Sequence, residues 1–273
     1  MILNIEGMTI DRRSKTAWKI GYLREFIKKQ VGFIPIVCIT ETWLKSYVTD
    51  SQIDLPSYTP HRCERQGRIR GGCMTYIHDS ISTGTSYRFD NKFCEVVITP
   101  LMKVKTAIVT LYRPPNCPLA KFRQVLDMVQ NYINDKDDTW TFFLCGDTNF
   151  PNVNWETINV VPGIRPDNEN LCAKRLLDFL ERNGMVQYVT VPTRSVDDAK
   201  NTLDICACNS EEHILHVKTD ETILSDHDWV SISLATDFSP CPILDQSKSR
   251  AFGFSSFDFT KADFDRINSY IFN

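Results

Sequence analysis

Four apolar stretches of this sequence stop on a group that can do chemistry. Residues 1–6 carry Asn4, residues 35–40 run into Glu41, residues 106–112 finish on Tyr112, and residues 141–151 (TFFLCGDTNFP) break at Asp147 with Asn149 beside it. Carboxylates and amide oxygens are hard donors suited to Mg²⁺, which takes one or two protein carboxylates alongside waters and substrate phosphate oxygens. Glu41 is the leading metal-ligand candidate on that ground. His227 lies between Asp226 and Asp228, and an imidazole oriented by a carboxylate suits proton transfer near neutral pH. Asp204 falls inside a further apolar run, residues 202–207. Each signal has a plainer reading taken alone: Gly, Asp and Asn are ordinary turn residues, and a lone histidine defaults to a satisfied structural role. The functional reading rests on their number.

The elements that must position these groups read as alternating strands and helices. Residues 35–40 and 142–145 are continuous apolar runs that suit strands covered on both faces. Residues 72–77, 93–98, 106–112, 186–191, 202–207 and 229–234 supply further strands. Tyr22, Leu23, Phe26 and Ile27 make an amphipathic stripe after a basic stretch at 11–19. Over 119–134, Phe122, Val125, Leu126, Val129, Tyr132 and Ile133 fall at helical spacing. A Pro- and Asn-rich loop, 151–168, leads to a helix carrying Ala173, Leu176, Leu177 and Leu180, closed by Gly184 in a capping position. In such α/β arrangements ligand crevices open at the carboxyl ends of strands, where the candidate residues gather.

The chain's 273 residues carry a formal charge of −3, so any nucleic-acid binding must come from local basic patches. The run 61–70 (HRCERQGRIR) is one such patch: a solvated loop on the common reading, a phosphate-contacting rim on the functional one. No apolar run approaches the ~18 residues of a membrane span, and the start lacks a charged segment with a long apolar signal core. An intracellular protein without a membrane association is expected. Several of the ten cysteines (Cys38, Cys94, Cys145, Cys206) lie in apolar runs and read as small buried hydrophobes. Zinc binding by Cys206, Cys208, His213 and His216 is disfavoured, because Cys-x-Cys with His-x-x-His lacks structural-zinc spacing. Beyond residue 234 the composition turns to Ser, Pro and Lys, and an independent unit at 1–236 followed by a linker and connector at 237–273 is expected.

Taken together, Asn4, Thr40-Glu41-Thr42-Trp43-Leu44, Arg70-Gly71-Gly72, Tyr112-Arg113-Pro114-Pro115, Gly146-Asp147-Thr148-Asn149 with Trp155, Pro192-Thr193-Arg194, Leu203-Asp204 and Ser225-Asp226-His227 form an ordered series. This series resembles the endonuclease/exonuclease/phosphatase family, and more narrowly the endonuclease domain of LINE-type (non-LTR) retrotransposons. The stretch FDFTKADFDRIN in the tail looks like the connector that precedes a reverse transcriptase in such elements.

The resemblance implies a four-layer α/β sandwich, two mixed β-sheets flanked by helices, and hydrolysis of a DNA phosphodiester with Mg²⁺ (or Mn²⁺) as cofactor. It implies double-stranded DNA as partner, no obligate protein partner, and a nuclear or cytoplasmic location. By position, Glu41 would hold the metal with Asn4 nearby. Asp147 would orient or deprotonate water, Asn149 would hold a phosphate oxygen, and His227 paired with Asp226 would stabilise phosphate charge. Tyr112 and Asp204 would complete the site, Asp204 by assisting the leaving group, and Arg70, Arg113, Thr193 and Arg194 would bind substrate. Two departures stand out: Thr148 where the family has an aromatic, expected to loosen the packing that aims Asp147 and Asn149, and Cys73 where it has a third glycine. Competing readings are a nucleotide or inositol phosphate phosphatase, and a non-catalytic retroelement relic or domesticated nucleic-acid-binding module.

Overall fold

The computed structural model describes residues 1–8, 18–30, 32–161 and 163–235. Most of the basic stretch at 11–19 and all of the expected linker and connector therefore lie outside the described residues. In chain order, β1 (Ile2–Asn4) precedes α1 (Lys19–Lys29), β2 (Ile36–Thr40), β3 (Tyr58–Cys63) and β4 (Cys73–His78). Next come β5 (Tyr87–Asp90), β6 (Glu95–Leu101), β7 (Thr106–Tyr112), α2 (Leu119–Asn134) and β8 (Thr141–Asp147). The short β9 (Val153–Asn154) and β10 (Asn159–Val160) lead to α3 (Asp167–Arg182), β11 (Val186–Gln187), β12 (Arg194–Val196) and β13 (Ala199–Asn201). Finally come β14 (Asp204–Cys208), β15 (Ile214–Asp220) and β16 (Trp229–Leu234).

These strands make two six-stranded sheets, ordered β15-β16-β1-β2-β4-β3 and β11-β14-β8-β7-β6-β5. Each is mixed: β1–β2 and β7–β8 are the parallel pairs, and the remaining ladders are antiparallel. The sheets pack face to face through Ile2, Ile36, Cys38, Ile108, Phe143, Cys145, Cys206 and Val230. On the outside, Ile20 and Leu23 of α1 bury against Val37, Ile39 and Met74 of the first sheet. Phe122, Val125 and Val129 of α2, with Cys172, Leu176 and Leu180 of α3, cover Val109, Phe142 and Leu144 of the second. This is the four-layer α/β sandwich expected from the sequence.

The continuous apolar runs became central strands because both of their faces are covered; all seven residues of β8 are buried. Gly146 within β8 has φ +129°, and a Cβ there would lie 2.1 Å from the Leu111 carbonyl oxygen. Only glycine lets β8 approach β7 so closely. Gly184, at φ +60° just beyond α3, ends that helix as expected.

The structure corrects several element assignments. The basic run 61–70 begins within β3, and the loop 151–168 contains the β9–β10 hairpin. The strand expected at 186–191 shrinks to two residues, and β15 is an additional edge strand paired, among the described residues, only with β16. An edge strand with one partner buries little, so β15 (ILHVKTD) needs no apolar run and leaves no period in the sequence. All nine cysteines among the described residues are free and buried, as small core hydrophobes are.

Candidate active site

The strand ends converge on a polar cleft of about 510 Å³ lined by Asn4, Glu41, Tyr112, Asp147, Asn149 and His227, with Arg70 and Arg194 on its rim. The ladders dictate much of this. Asn4 stands opposite Thr40 in the parallel β1–β2 pair, which brings it beside the Glu41 turn. Asp147 stands opposite Asp204 in the antiparallel β8–β14 pair. His227 arrives from the loop before β16, stitched to the end of β1 by a Ser225 hydroxyl that donates to the Asn4 carbonyl at 2.6 Å.

Glu41 sits at φ 53°. One carboxylate oxygen accepts the Tyr112 hydroxyl and the other accepts Trp43 Nε1–H at 2.7 Å. Among the described residues each oxygen takes a single hydrogen bond and so keeps lone pairs for a cation. Burial, then the charges of Glu41 and Asp147, push the Tyr112 phenol far above its ordinary pKa, so it remains a donor to Glu41.

Asp147 is fully buried. Its Oδ2 accepts Asn4 Nδ2–H at 2.7 Å and Asn149 Nδ2–H at 2.8 Å, and its Oδ1 accepts the Asn149 backbone N–H at 2.9 Å. Burial and the neighbouring Asp204 raise its pKa to about 8, against the pull of His227 and Asn4. Asp204, also buried, lies 2.6 Å from His227 Nδ1 through Oδ2, and its Oδ1 has no partner among the described residues. Burial alone would lower the His227 pKa, but Asp204, Asp147 and Asp226 together raise it to about 9. Asp147, Asp204 and His227 offer ligand atoms within 4.8 Å of one another, and this acidic and imidazole triad could hold a metal ion. With Nδ1 of His227 occupied by Asp204, the same triad is equally built to hold and move a proton.

Several expected contacts are replaced by others. The partner of His227 is Asp204; Asp226 lies 3.9 Å from Nε2 and is held by the Arg194 guanidinium at 2.6 and 2.9 Å. Burial would raise the Asp226 carboxyl, yet Arg194 holds it below the ordinary value. Arg113 does not reach the cleft. It is wholly buried, paired with Glu169, donating to the Thr148 and Asn149 carbonyls, and stacked 4.0 Å from the Phe150 ring centre. Thr193 is buried too, and its hydroxyl donates to Asp204 Oδ2 at 2.8 Å. Asn149 donates both amide hydrogens to protein, to Asp147 and to the Arg113 carbonyl at 2.9 Å. Arg70 lies exposed with its guanidinium 5.2 Å from the Trp43 ring centre.

The loosening expected of Thr148 is not seen. Thr148 is buried, with both its N–H and its hydroxyl on the Leu203 carbonyl, and the aromatic Phe150 packs beneath Arg113 from two residues further on. Cys73 is equally buried, its thiol on the Thr110 carbonyl. The disfavoured zinc site does not assemble: Cys206 and Cys208 face the core between the sheets, while His213 binds Ser210 and His216 is exposed. Sequence reading gave no role to Trp43, Glu169, Arg65 or Glu95. The one signal available for Glu95 was an acid at the head of an otherwise apolar run.

A second cavity of about 400 Å³ opens at the other end of the sheets, lined mainly by apolar residues such as Ile36, Phe143 and Leu234. Among the described residues its lining has no comparable set of polar groups.

Residues 106–231 match the endonuclease-reverse transcriptase family. No curated protein matches the sequence. Among solved structures, the fold is similar to an AP endonuclease from Archaeoglobus fulgidus (TM-score 0.62, 13% identity, 86% of this chain and 98% of that one). It is also similar to the endonuclease domain of TRAS1, a telomere-specific non-LTR retrotransposon (TM-score 0.56, 16% identity, 86% and 97%). A third is the 3′ phosphatase NExo from Neisseria bound to product DNA hairpin (TM-score 0.61, 10% identity, 85% and 97%). The chain thus has the nuclease and phosphatase fold of the endonuclease/exonuclease/phosphatase class. The resemblance to non-LTR retrotransposon endonuclease domains read from its motifs is borne out by the family match and by that structural neighbour.

Proposed function

We propose that the chain is a divalent-metal-dependent endonuclease that nicks double-stranded DNA and leaves a 3′-hydroxyl able to prime reverse transcription. The observation that carries this reading is the buried Asp147–Asp204–His227 array, of which Asp147 and His227 line one cleft with the Glu41 carboxylate. The donor set fits a hard cation: an acidic oxygen pair at Glu41, with the amide of Asn4 nearby. Mg²⁺ or Mn²⁺ held there would neutralise charge on the non-bridging phosphate oxygens.

The protein's own residues account for the remaining demands of phosphoryl chemistry, which are in-line positioning and charge stabilisation. Asp147, aimed by Asn4 and Asn149, accepts the proton of the attacking water. Its raised pKa suits a base working near neutral pH. His227, kept protonated by Asp204, donates to a phosphate oxygen. Asp204 acts through His227 rather than on the leaving group directly. Arg70 and Arg194 stand on the cleft rim where backbone phosphates would pass. The domain proper is residues 1–236, with 237–273 a linker and connector.

DNA is the favoured substrate because the similar structures are described as AP and retrotransposon endonucleases and as a 3′ phosphatase carrying DNA product. The test is nicking of supercoiled plasmid by the purified chain with Mg²⁺, followed by end-labelling of the new termini. Wild type is expected to nick and leave a 3′-hydroxyl, and His227→Ala to lose at least about 100-fold in rate, the lower range of acid–base contributions. Equal nicking by the two proteins removes the hydrolase reading in favour of a binding module.

A further inference from the structure

In the wall of the cleft, which Arg65 lines, lies a buried ion pair with no part in the chemistry above. Glu95 opens β6, wholly buried, as the register partner of Tyr112 in the β6–β7 ladder. Its carboxylate accepts Arg65 Nε–H at 2.5 Å, Arg65 Nη2–H at 3.0 Å and the Gly72 backbone N–H at 2.8 Å. Arg65 also donates to the Phe93 carbonyl, and its guanidinium lies 5.4 Å from the centre of the Tyr112 ring.

Two lines run from this pair to Glu41. The first passes through Tyr112, whose hydroxyl donates to the Glu41 carboxylate. The second passes through the Gly71-Gly72 corner, which Glu95 fixes by the Gly72 N–H. The Gly71 carbonyl accepts the Trp43 N–H at 2.8 Å, and the Gly72 carbonyl accepts the Thr42 N–H at 3.3 Å. Glu41 and Trp43 flank that contact with φ of 53° and 55°, a left-handed conformation that non-glycine residues hold only where surroundings impose it. The corner is shaped for the guanidinium: Gly71 has φ +72°, and a Cβ on it would lie 2.4 Å from Arg65.

A buried ion pair is a poor source of net stability, since an apolar pair of similar volume commonly does as well or better. A positioning role accounts for this one. We propose that Arg65 and Glu95 are positioning residues that hold the Glu41 carboxylate ready for a divalent cation, from one side through Tyr112 and from the other through the Gly71-Gly72 carbonyls. The proposal rests on the reading of Glu41 as the cation's ligand.

The test is Mn²⁺ binding to the whole chain, measured by the electron paramagnetic resonance of free Mn²⁺, with thermal melting alongside. Wild type is expected to bind Mn²⁺ and Glu41→Gln to lose it. Glu95→Gln and Arg65→Met should weaken Mn²⁺ about 10–100-fold, as removal of outer supports of metal ligands does. Raising the Mg²⁺ concentration should then recover most of the nicking rate. The decisive variant is the apolar pair Arg65→Met with Glu95→Leu, expected to regain the wild-type melting temperature but not the Mn²⁺ affinity. Should that pair bind Mn²⁺ like wild type, or should folded Glu95→Gln do so, the positioning role is wrong while the nuclease reading stands. If Glu41→Gln binds as wild type does, the assignment of Glu41 fails and this proposal falls with it.

Discussion

Asp147 and Asp204 face each other as register partners across the β8–β14 ladder, both wholly buried, and His227 closes on Asp204 at 2.6 Å. Two carboxylates placed this way repel, and burial penalises the charge on each. Those two costs raise the Asp147 pKa, and the imidazolium of His227, which the carboxylates hold in its charged form, pulls it back only in part.

That relationship sets a pH dependence. His227 is raised to about 9, above the roughly 6.5 of an unfolded histidine. The stabilisation it draws from protonation is therefore complete below about pH 6.5 and lost as the pH rises through about 9. Nicking should fall over the same alkaline limb as the imidazolium loses its proton. In Asp204→Asn the largest raising influence is gone, so the alkaline limb should move to lower pH in a pH–rate profile. An unshifted limb would mean that His227 is not the group titrating.

Arg113 should prove a folding residue. With Glu169 nearly buried as its partner and two main-chain carbonyls on its guanidinium, Arg113→Met leaves a buried carboxylate unpaired. The expected cost is about 3–5 kcal/mol in urea unfolding. A stable variant with weakened DNA binding would restore the substrate-contact role expected from the sequence.

Gly146→Ala should be among the most damaging single-atom changes in the chain. The added methyl would lie 2.1 Å from the Leu111 carbonyl oxygen at φ +129°, so β8 must part from β7 next to Asp147. Backbone strain alone costs on the order of 1–3 kcal/mol, and the clash adds to it. The variant should melt well below wild type and nick poorly; a wild-type melt would show that the strand pair yields more easily than its geometry suggests.

Thr148→Phe tests whether the departure from the family pattern is a defect. Thr148 is wholly buried and doubly bonded to the Leu203 carbonyl, leaving no room for a ring. Overpacking should cost about 1–3 kcal/mol and lower the nicking rate. A gain in rate and melting temperature would instead confirm that threonine leaves the site loose.

Many of the elements and most of the site groups could be read directly along the chain, while the four-layer sandwich itself was expected from the resemblance that the motifs carry. Apolar runs covered on both faces and the helical spacing over 119–134 are local properties, so β2, β7, β8, α2 and β16 were legible from them. The strand-end groups Asn4, Glu41, Tyr112 and Asp147 were legible as well, because a polar residue that halts an apolar run stands out in one dimension. Which groups touch is settled when the strands pair. Register across a ladder pairs residues far apart in sequence, 147 with 204 and 95 with 112, and neither spacing nor composition records that choice. Adjacency in sequence pointed to Asp226 as the partner of His227, whereas the turn directs the imidazole inward to Asp204 and leaves Asp226 to Arg194. Arg113 and Thr193 carry the right chemistry for substrate, but burial turned them to the protein's own carboxylates, and burial is settled only when the sheets close on one another.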